Sequence, residues 1–375
     1  MKQSLGIYVH IPFCLKKCFY CDFCSFLENT DQRMREYVRE LCRRITEFAL
    51  KTNNDRVDTI YFGGGTPTLL PVDCFAELLE CIRTNYDVLD VCEITCECNP
   101  ATADFSKLSQ LRRLGINRLS IGLQSVQDEE LTQLGRAHTL SDFQAIFEDA
   151  RQAGFDNISV DLMYGIPNQT EESFCRSLQM LAKMSPEHIS AYGLKIEKGT
   201  VFGDFADTLP LPDEDTEYRM YRTCGDLLAQ YGYKKYEISN FAKESKESRH
   251  NLRYWLGEDY VGFGVAAHSC FGGVRWGNSR DLSAFLRGED ITEERTALTE
   301  QDLFNEYVML RLRLSEGLNC ADFYRRFAKT PYQAFPQLPV FIQNGWLKES
   351  DGRIFFTDEG FFVSNAILSE LLCFD

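Results

Sequence analysis

The sequence predicts an α/β protein, a partial (β/α)6 barrel followed by a small C-terminal helical, winged-helix-like domain. Two observations carry this prediction. Short β-rich runs alternate with amphipathic stretches through the first half of the chain, the pattern of parallel strands joined by crossover helices. Polar and glycine signals recur at the ends of successive runs, where a β/α barrel builds its active-site mouth.

Strands are predicted near residues 5–10, 57–62, 93–98, 117–122, 157–163 and 188–194, and helices near 31–50, 71–86, 104–114, 141–153 and 170–184. Turn or capping residues such as Asn29-Thr30 and Asp104 precede the helices, because a short polar side chain satisfies the orphan N–H groups of a first turn. Six such units are two short of a full barrel. The cysteines follow the first strand, Gly63-Gly64-Gly65-Thr66-Pro67 the second, Glu97 and Asn99 end the third, Gln124 follows the fourth, and Asp161 lies near the end of the fifth. Five successive units thus contribute to one mouth.

After about residue 195 the alternation fades. A helix near 213–231 leads to a strand around 234–238, and a glycine- and aromatic-rich stretch from about 239 to 280 reads as irregular. Helices near 300–313, 320–328 and 332–344 then precede a tight hairpin, marked by Asp351-Gly352 between apolar runs, and a last helix from about 358 to 372. The chain divides into a barrel over 1–238, a connecting region over 239–295 and the C-terminal domain over 296–375.

With 40 basic against 56 acidic residues the formal charge is -16, which repels nucleic acid and anionic membranes. No signal peptide and no apolar run long enough for a transmembrane segment is present, so a soluble, cytoplasmic protein is expected. The 15 cysteines do not read as a disulfide framework, since a reducing compartment keeps thiols free and an odd count leaves one unpaired. Cys42, Cys74, Cys81, Cys175, Cys224, Cys320 and Cys373 are dispersed and serve as small apolar residues. Cys92, Cys96 and Cys98 share one face of a strand, and core packing is expected over metal ligation because ligand sets normally converge from loops.

Cys14, Cys18 and Cys21 are the sharpest motif. Their C-x3-C-x2-C spacing supplies three thiolates to a four-iron cluster, leaving one iron open to an exchangeable ligand. Cys24 keeps a four-thiolate zinc or structural site open as an alternative. The glycine triplet brings backbone close to a ligand or makes a tight turn from strand to helix, and lacks the dinucleotide and P-loop fingerprints. Glu97, Gln124, Arg136 and Asp161 together offer partners for ammonium, carboxylate and ribose hydroxyls, the inventory of an amino-acid nucleoside.

The cysteine triplet with Tyr20, the glycine triplet and the carboxylate positions together resemble a radical SAM enzyme, and specifically the oxygen-independent coproporphyrinogen III oxidase-like family. The likeness runs from Tyr8-Val-His10-Ile-Pro-Phe-Cys14 through Gly122-Leu-Gln124-Ser and Asp161-Leu-Met-Tyr-Gly-Ile-Pro167 to Glu359-Gly-Phe-Phe-Val-Ser-Asn365. It implies a [4Fe-4S] cluster on Cys14, Cys18 and Cys21 with S-adenosylmethionine on the fourth iron. Matching positions place Tyr8, Gly64, Gly65, Thr66, Glu97, Gln124, Arg136 and Asp161 around the nucleosides. Such a cofactor supplies a 5′-deoxyadenosyl radical, which the protein positions and shields.

Two departures separate the chain from the decarboxylating oxidase. Its first strand begins at about residue 5, without an N-terminal extension, and Phe23 stands where the oxidase has a further cysteine. Arg249-His250-Asn251-Leu-Arg-Tyr254-Trp255 matches the H-N-x-x-Y-W motif of the family's heme-chaperone branch. The resemblance therefore implies heme binding, with His250 as axial ligand and Tyr254 and Trp255 as flat partners, and transfer to acceptor proteins, respiratory membrane proteins among the candidates. Within this reading His268 is the next candidate ligand, His10, His138 and His188 are weaker ones, and Lys16, Lys17 and Arg253 are candidate propionate partners whose default reading is solvated surface charge. The rivals are an oxidase acting on coproporphyrinogen III and a radical SAM fold retained as a scaffold.

Overall fold

In the computed structural model, which describes residues 4–52 and 56–372, the six predicted β/α units form in order. The strands are β1 (Leu5–Ile11), β2 (Arg56–Gly64), β3 (Asp87–Cys98), β4 (Arg118–Gln124), β5 (Ile158–Tyr164) and β6 (His188–Gly193), all parallel and paired in sequence order. The helices between them are α1 (Asp31–Thr52), α2 (Val72–Asn85), α3 (Phe105–Leu114), the short α4 (Asp128–Gln133), α5 (Leu140–Gln152) and α6 (Glu171–Met184). Thr30 accepts from Arg33 N–H at the start of α1, and Asp104 accepts from Lys107 N–H at the start of α3. Cys373 lies outside the described residues.

Strand alternation builds the barrel. Successive side chains on a strand point to opposite faces, and here one face is apolar. Ile7, Val9, Ile60, Phe62, Leu119, Ile121, Val160, Leu162 and Ile189 are fully buried and pack with Val38 and Leu41 of α1, Phe75 and Leu78 of α2, Phe143 of α5 and Phe174 of α6. Each such side chain contributes about 1.5–3 kcal/mol when fully withdrawn from water. The other face carries polar groups in rows fixed by the register. Glu97 pairs with Ser120, Ser120 with Ser159 and Ser159 with His188. One row above, Gly122 pairs with Asp161 and Asp161 with Ser190. The barrel interior is therefore a cavity into which these polar rows project between aromatic side chains.

Cys92, Cys96 and Cys98 are buried, and each thiol donates to the carbonyl of the next residue, in keeping with core packing.

The stretch after residue 195 differs from its prediction. Beyond α7 (Val201–Asp204) and α8 (Glu214–Gln230), the strand predicted at 234–238 is only β7 (Lys234–Lys235), followed by β8 (Asn240–Ala242). These strands extend the sheet antiparallel beyond β6. The region predicted irregular holds α9 (Arg249–Leu256), β9 (Tyr260–Phe263), β10 (His268–Phe271) and β11 (Val274–Asn278), with α10 (Leu282–Leu286) and β12 (Thr292–Ala297) after it. β9 runs parallel to β1, and β10 to β12 continue antiparallel, completing a 12-stranded sheet. These strands are only 4 to 6 residues long, which hid their alternation.

The C-terminal domain comprises α11 (Glu300–Leu312), β13 (Leu318–Asn319), α12 (Cys320–Phe327), α13 (Pro331–Ala334), α14 (Leu338–Gln343), β14 (Leu347–Ser350), β15 (Arg353–Phe356), α15 (Asp358–Phe362) and α16 (Ser364–Leu371). The single helix predicted at 332–344 is two helices, because Pro336 excludes Phe335 from helical backbone, leaving it at φ -130 and ψ 82. The last predicted helix likewise breaks at Val363. Asp351 and Gly352 both have positive φ, as a type I′ hairpin requires. Phe323, Phe335, Phe341, Phe356 and Phe361 form this domain's own core.

Candidate functional site

The loop after β1 is pinned from several sides. Cys14 N–H donates to Phe26 O and Thr66 N–H to Phe13 O, while Phe19 N–H donates to Leu134 O. Cys14, Cys18 and Cys21 line a cleft of about 140 Å3. Arg136 reaches into it from behind α4: one terminal nitrogen lies 3.5 Å from Cys18 Sγ, and the other donates to Asn99 Oδ1 at 2.6 Å and Gly122 O at 2.8 Å. Asn99 Nδ2 donates to Thr66 Oγ1 at 2.8 Å, which lies 3.6 Å from Cys14 Sγ. Burial raises the Cys14 thiol and pushes Cys21 up to about 11. A bound metal reverses that preference, since coordination deprotonates a thiol.

The glycine triplet is there for proximity. A Cβ on Gly65 would lie 2.7 Å from Phe13 O and 3.0 Å from Cys14 Sγ, and one on Gly64, at φ +116, would strike the His10 ring at 2.5 Å. The Gly65 N–H is taken by Ile11 O and the Gly64 N–H by Glu97 Oε2 at 3.0 Å. These N–H groups are thus spent within the protein, and the open approach is what remains for a ligand.

Thr66, Glu97, Gln124, Arg136 and Asp161 all line the same cleft. Glu97 also accepts from Tyr61 O–H at 3.0 Å, and burial raises it to about 7. Asp161 accepts from Ser120 O–H at 3.4 Å and is raised by burial to about 6. Gln124, at φ 73, accepts from Tyr192 O–H at 3.0 Å. Tyr8 stands apart from the cleft and is bonded to His10 Nδ1 at 3.0 Å. The donor set suits a thiolate-bound cluster beside a polar nucleoside.

Beneath and beside the cleft lies a cavity of about 830 Å3 that shares Tyr20, Cys21, Glu97, Ser120, Asp161 and Tyr192 with it. Tyr8 lines this cavity, as do Asn251 and Tyr254 of the H-N-x-x-Y-W motif. The motif helix α9 is fixed to the barrel at its start, where Glu93 of β3 accepts from Arg249 N–H and His250 N–H at 3.1 and 3.0 Å. His250 is 1% exposed and bonded through both ring nitrogens, Nδ1 to Thr59 Oγ1 at 2.9 Å and Nε2 to Tyr254 O–H at 2.8 Å. Burial and the Arg253 guanidinium lower it to about 3, so the ring is neutral.

Cys24 turns away from the triplet toward Arg280 O, 4.0 Å from its sulfur, and lines the larger cavity instead of the cleft. Among the described residues no three His, Cys, Asp or Glu side chains converge on one ion position. Phe23 is exposed.

Arg253 is neither a solvated surface charge nor a propionate partner facing the site. It is buried against Asp58, Glu258 and Ser4, and Gly6 leaves room for it, since a Cβ there would lie 2.4 Å from Arg253 Cδ. Lys16 lies over the Phe19 ring and, like Lys17, is exposed. His10 is bonded to Tyr8 and Cys24 O, His138 to Leu123 O, and His188 to Ser159 and Tyr236. His268 is exposed and lines the cavity.

The sequence reading missed Arg118, Tyr61 and Tyr192. All three occupy inward positions on barrel strands, and their signal was the polar side chain at every second position.

Residues 8–181 match the Radical SAM superfamily and residues 298–363 the HemN C-terminal domain. The chain is 34% identical to the heme chaperone HemW of Bacillus subtilis, covering 97% of this chain and 98% of that one. It is 32% identical to the heme chaperone HemW of Escherichia coli, over 98% of each. It is also 32% identical to the mitochondrial radical S-adenosyl methionine domain-containing protein 1 of Danio rerio, over 84% of this chain and 73% of that one. Among solved structures, coproporphyrinogen III oxidase (HemN) of Escherichia coli superposes with a TM-score of 0.87 at 24% identity, over 99% of this chain and 90% of that chain.

Proposed function

The chain belongs to the HemW family of radical SAM proteins, and from that premise we propose that it is a heme chaperone, binding heme beside a cluster site and transferring it to acceptor proteins. Cys14, Cys18 and Cys21 hold a [4Fe-4S] cluster, and Gly64, Gly65, Thr66, Glu97, Gln124, Arg136 and Asp161 surround S-adenosylmethionine, with Tyr8 on the cavity side. When bound, this pair supplies one-electron chemistry. The residues around it position and shield. Arg136 places positive charge against Cys18, the glycines admit close approach, and Glu97 and Asp161 present carboxyls to both the cleft and the cavity.

One observation carries the heme assignment: the cavity lined by Asn251 and Tyr254 of the motif is continuous in its lining with the cysteine cleft, through Tyr20 and Cys21. A ligand held at the motif therefore lies beside the cluster loop. His250 is the proposed axial ligand. It becomes available when the Tyr254 hydroxyl leaves Nε2, with Thr59 still holding Nδ1, since a metal-bound histidine usually keeps a hydrogen bond on its other nitrogen. The protein is expected in the cytoplasm; among the described residues no helix is long and apolar enough to cross a membrane.

The test is anaerobic incubation of the reconstituted protein with coproporphyrinogen III, S-adenosylmethionine and reductant. The chaperone reading expects no protoporphyrinogen; its formation would assign the oxidase reaction instead.

A further inference from the structure

The barrel floor contains a guanidinium that no side chain contacts directly among the described residues. Arg118, the first residue of β4, is 1% exposed and lines the 830 Å3 cavity. Its Nε is buried with no hydrogen-bond partner. Among the described residues no ion pair or hydrogen bond joins its guanidinium to any other group. The neighbouring Thr95, its register partner on β3, and Asn240 of β8 also hold buried, unpartnered oxygens.

Buried guanidinium groups are normally paired, because a charge removed from water without a partner is strongly destabilising. An unsatisfied buried donor in a cavity wall accordingly marks a place where something binds. The carboxylates that feel Arg118 most are Glu97 and Asp161. Both are engaged elsewhere, Glu97 by Tyr61 and Gly64 and Asp161 by Ser120. The same positive charge helps keep His188 and His250 neutral, and neither carboxylate makes an ion pair or hydrogen bond with the Arg118 guanidinium.

What fits is a carboxylate, which a guanidinium meets with two parallel N–H···O bonds. The rest of the cavity describes the body that bears it. Tyr8, Tyr61, Tyr192, Tyr254 and Tyr260 line the walls, offering flat apolar faces, and the volume falls in the range of small-molecule sites, about 300–1,000 Å3. We propose that Arg118 is the carboxylate-binding residue of the barrel cavity, taking a propionate of a tetrapyrrole whose ring lies against the tyrosine walls. This rests on the heme reading and deepens it, since it puts the ligand's acidic edge on the barrel floor and its ring beside the motif helix.

The test uses the full-length, anaerobically reconstituted protein. Protoporphyrin IX and its dimethyl ester are titrated by fluorescence against wild type, Arg118→Gln and Arg118→Lys, with hemin titrated in parallel. A charge-assisted pair is worth about 10- to 100-fold in affinity. Wild type is expected to prefer the diacid by that factor, Arg118→Gln to lose the preference while binding the diester as before, and Arg118→Lys to retain part of it. The diacid and diester comparison on wild type requires no variant, and melting curves identify a variant that fails to fold. Equal affinity of wild type for the two porphyrins, with hemin still bound, overturns the role of Arg118 and leaves the heme reading standing. Absence of binding by hemin and by both porphyrins overturns both.

Discussion

The Tyr254 hydroxyl lies 2.8 Å from His250 Nε2, one turn back along the same helix. The other ring nitrogen is held by Thr59 of the barrel wall. The two bonds differ in position: Tyr254 lines the cavity, whereas Thr59 belongs to the strand against which α9 packs. On the proposed heme reading a ligand arriving from the cavity meets Tyr254 first, which would make the tyrosine the gate and the threonine the support.

Replacing the gate should favour ligation. Tyr254→Phe keeps the ring and frees Nε2 of a hydrogen bond worth about 0.5–1.5 kcal/mol, so hemin affinity should rise by about 2- to 10-fold. Soret titration reads this directly. A fall in affinity would mean that the hydroxyl itself contacts the ligand.

Arg136 joins Cys18, Asn99 and Gly122. Its removal leaves a buried carbonyl and a side-chain amide oxygen short of donors, at a cost of about 1–3 kcal/mol each. Arg136→Ala should lower the melting temperature and the iron content after reconstitution together. Loss of neither would show that the cysteine loop is held without it.

Cys24 turns toward Arg280 and away from the cleft. Cys24→Ser should therefore keep the iron and sulfide content of wild type, while Cys14→Ser, Cys18→Ser or Cys21→Ser should each lose most of it. Iron and sulfide assays on the reconstituted proteins distinguish the cases. A Cys24→Ser variant without its cluster would restore the four-thiolate alternative.

Glu237 gives the fold a pH dependence. Burial raises its carboxyl from 4.5 to about 7, so the folded state prefers the protonated form. The stability this contributes is full below about pH 4.5 and is lost as pH rises through about 7. At 1.36 kcal/mol per pH unit this amounts to about 3 kcal/mol. Melting temperatures from about pH 5 to about pH 8 should fall for wild type and fall less steeply for Glu237→Gln, the remaining slope coming from Glu97 and Asp161, which burial also raises. Parallel curves for the two proteins would contradict it.

Much of this was legible in the sequence. The six β/α units and the convergence of Cys14, Cys18, Cys21, Thr66, Glu97, Gln124 and Asp161 on one mouth follow from apolar runs and strand-end polarity, whereas Arg136, in a polar loop, was placed there by the family resemblance alone. The strands after residue 239 were not legible, because β8 and β9 are only 3 and 4 residues long and owe their place to pairing with β6 and β1. Pro336 and Pro339 carried the signal for the break between α13 and α14, which the single helix predicted over 332–344 overlooked. Arg253 misled because a lone arginine in a motif reads as a ligand contact, and its burial depends on Gly6, some 250 positions earlier in the chain. The engagement of His250 by Thr59 was invisible for the same reason: it joins residues 191 positions apart.

The central claim is that the motif helix presents a heme site to the cavity beside the cysteine loop. The most direct measurement is a hemin titration of the anaerobically reconstituted protein against His250→Ala, followed in the Soret region. The account predicts a saturable band for wild type and, for the variant, a shifted spectrum with weakened binding. The same spectrum and affinity in both proteins would contradict it.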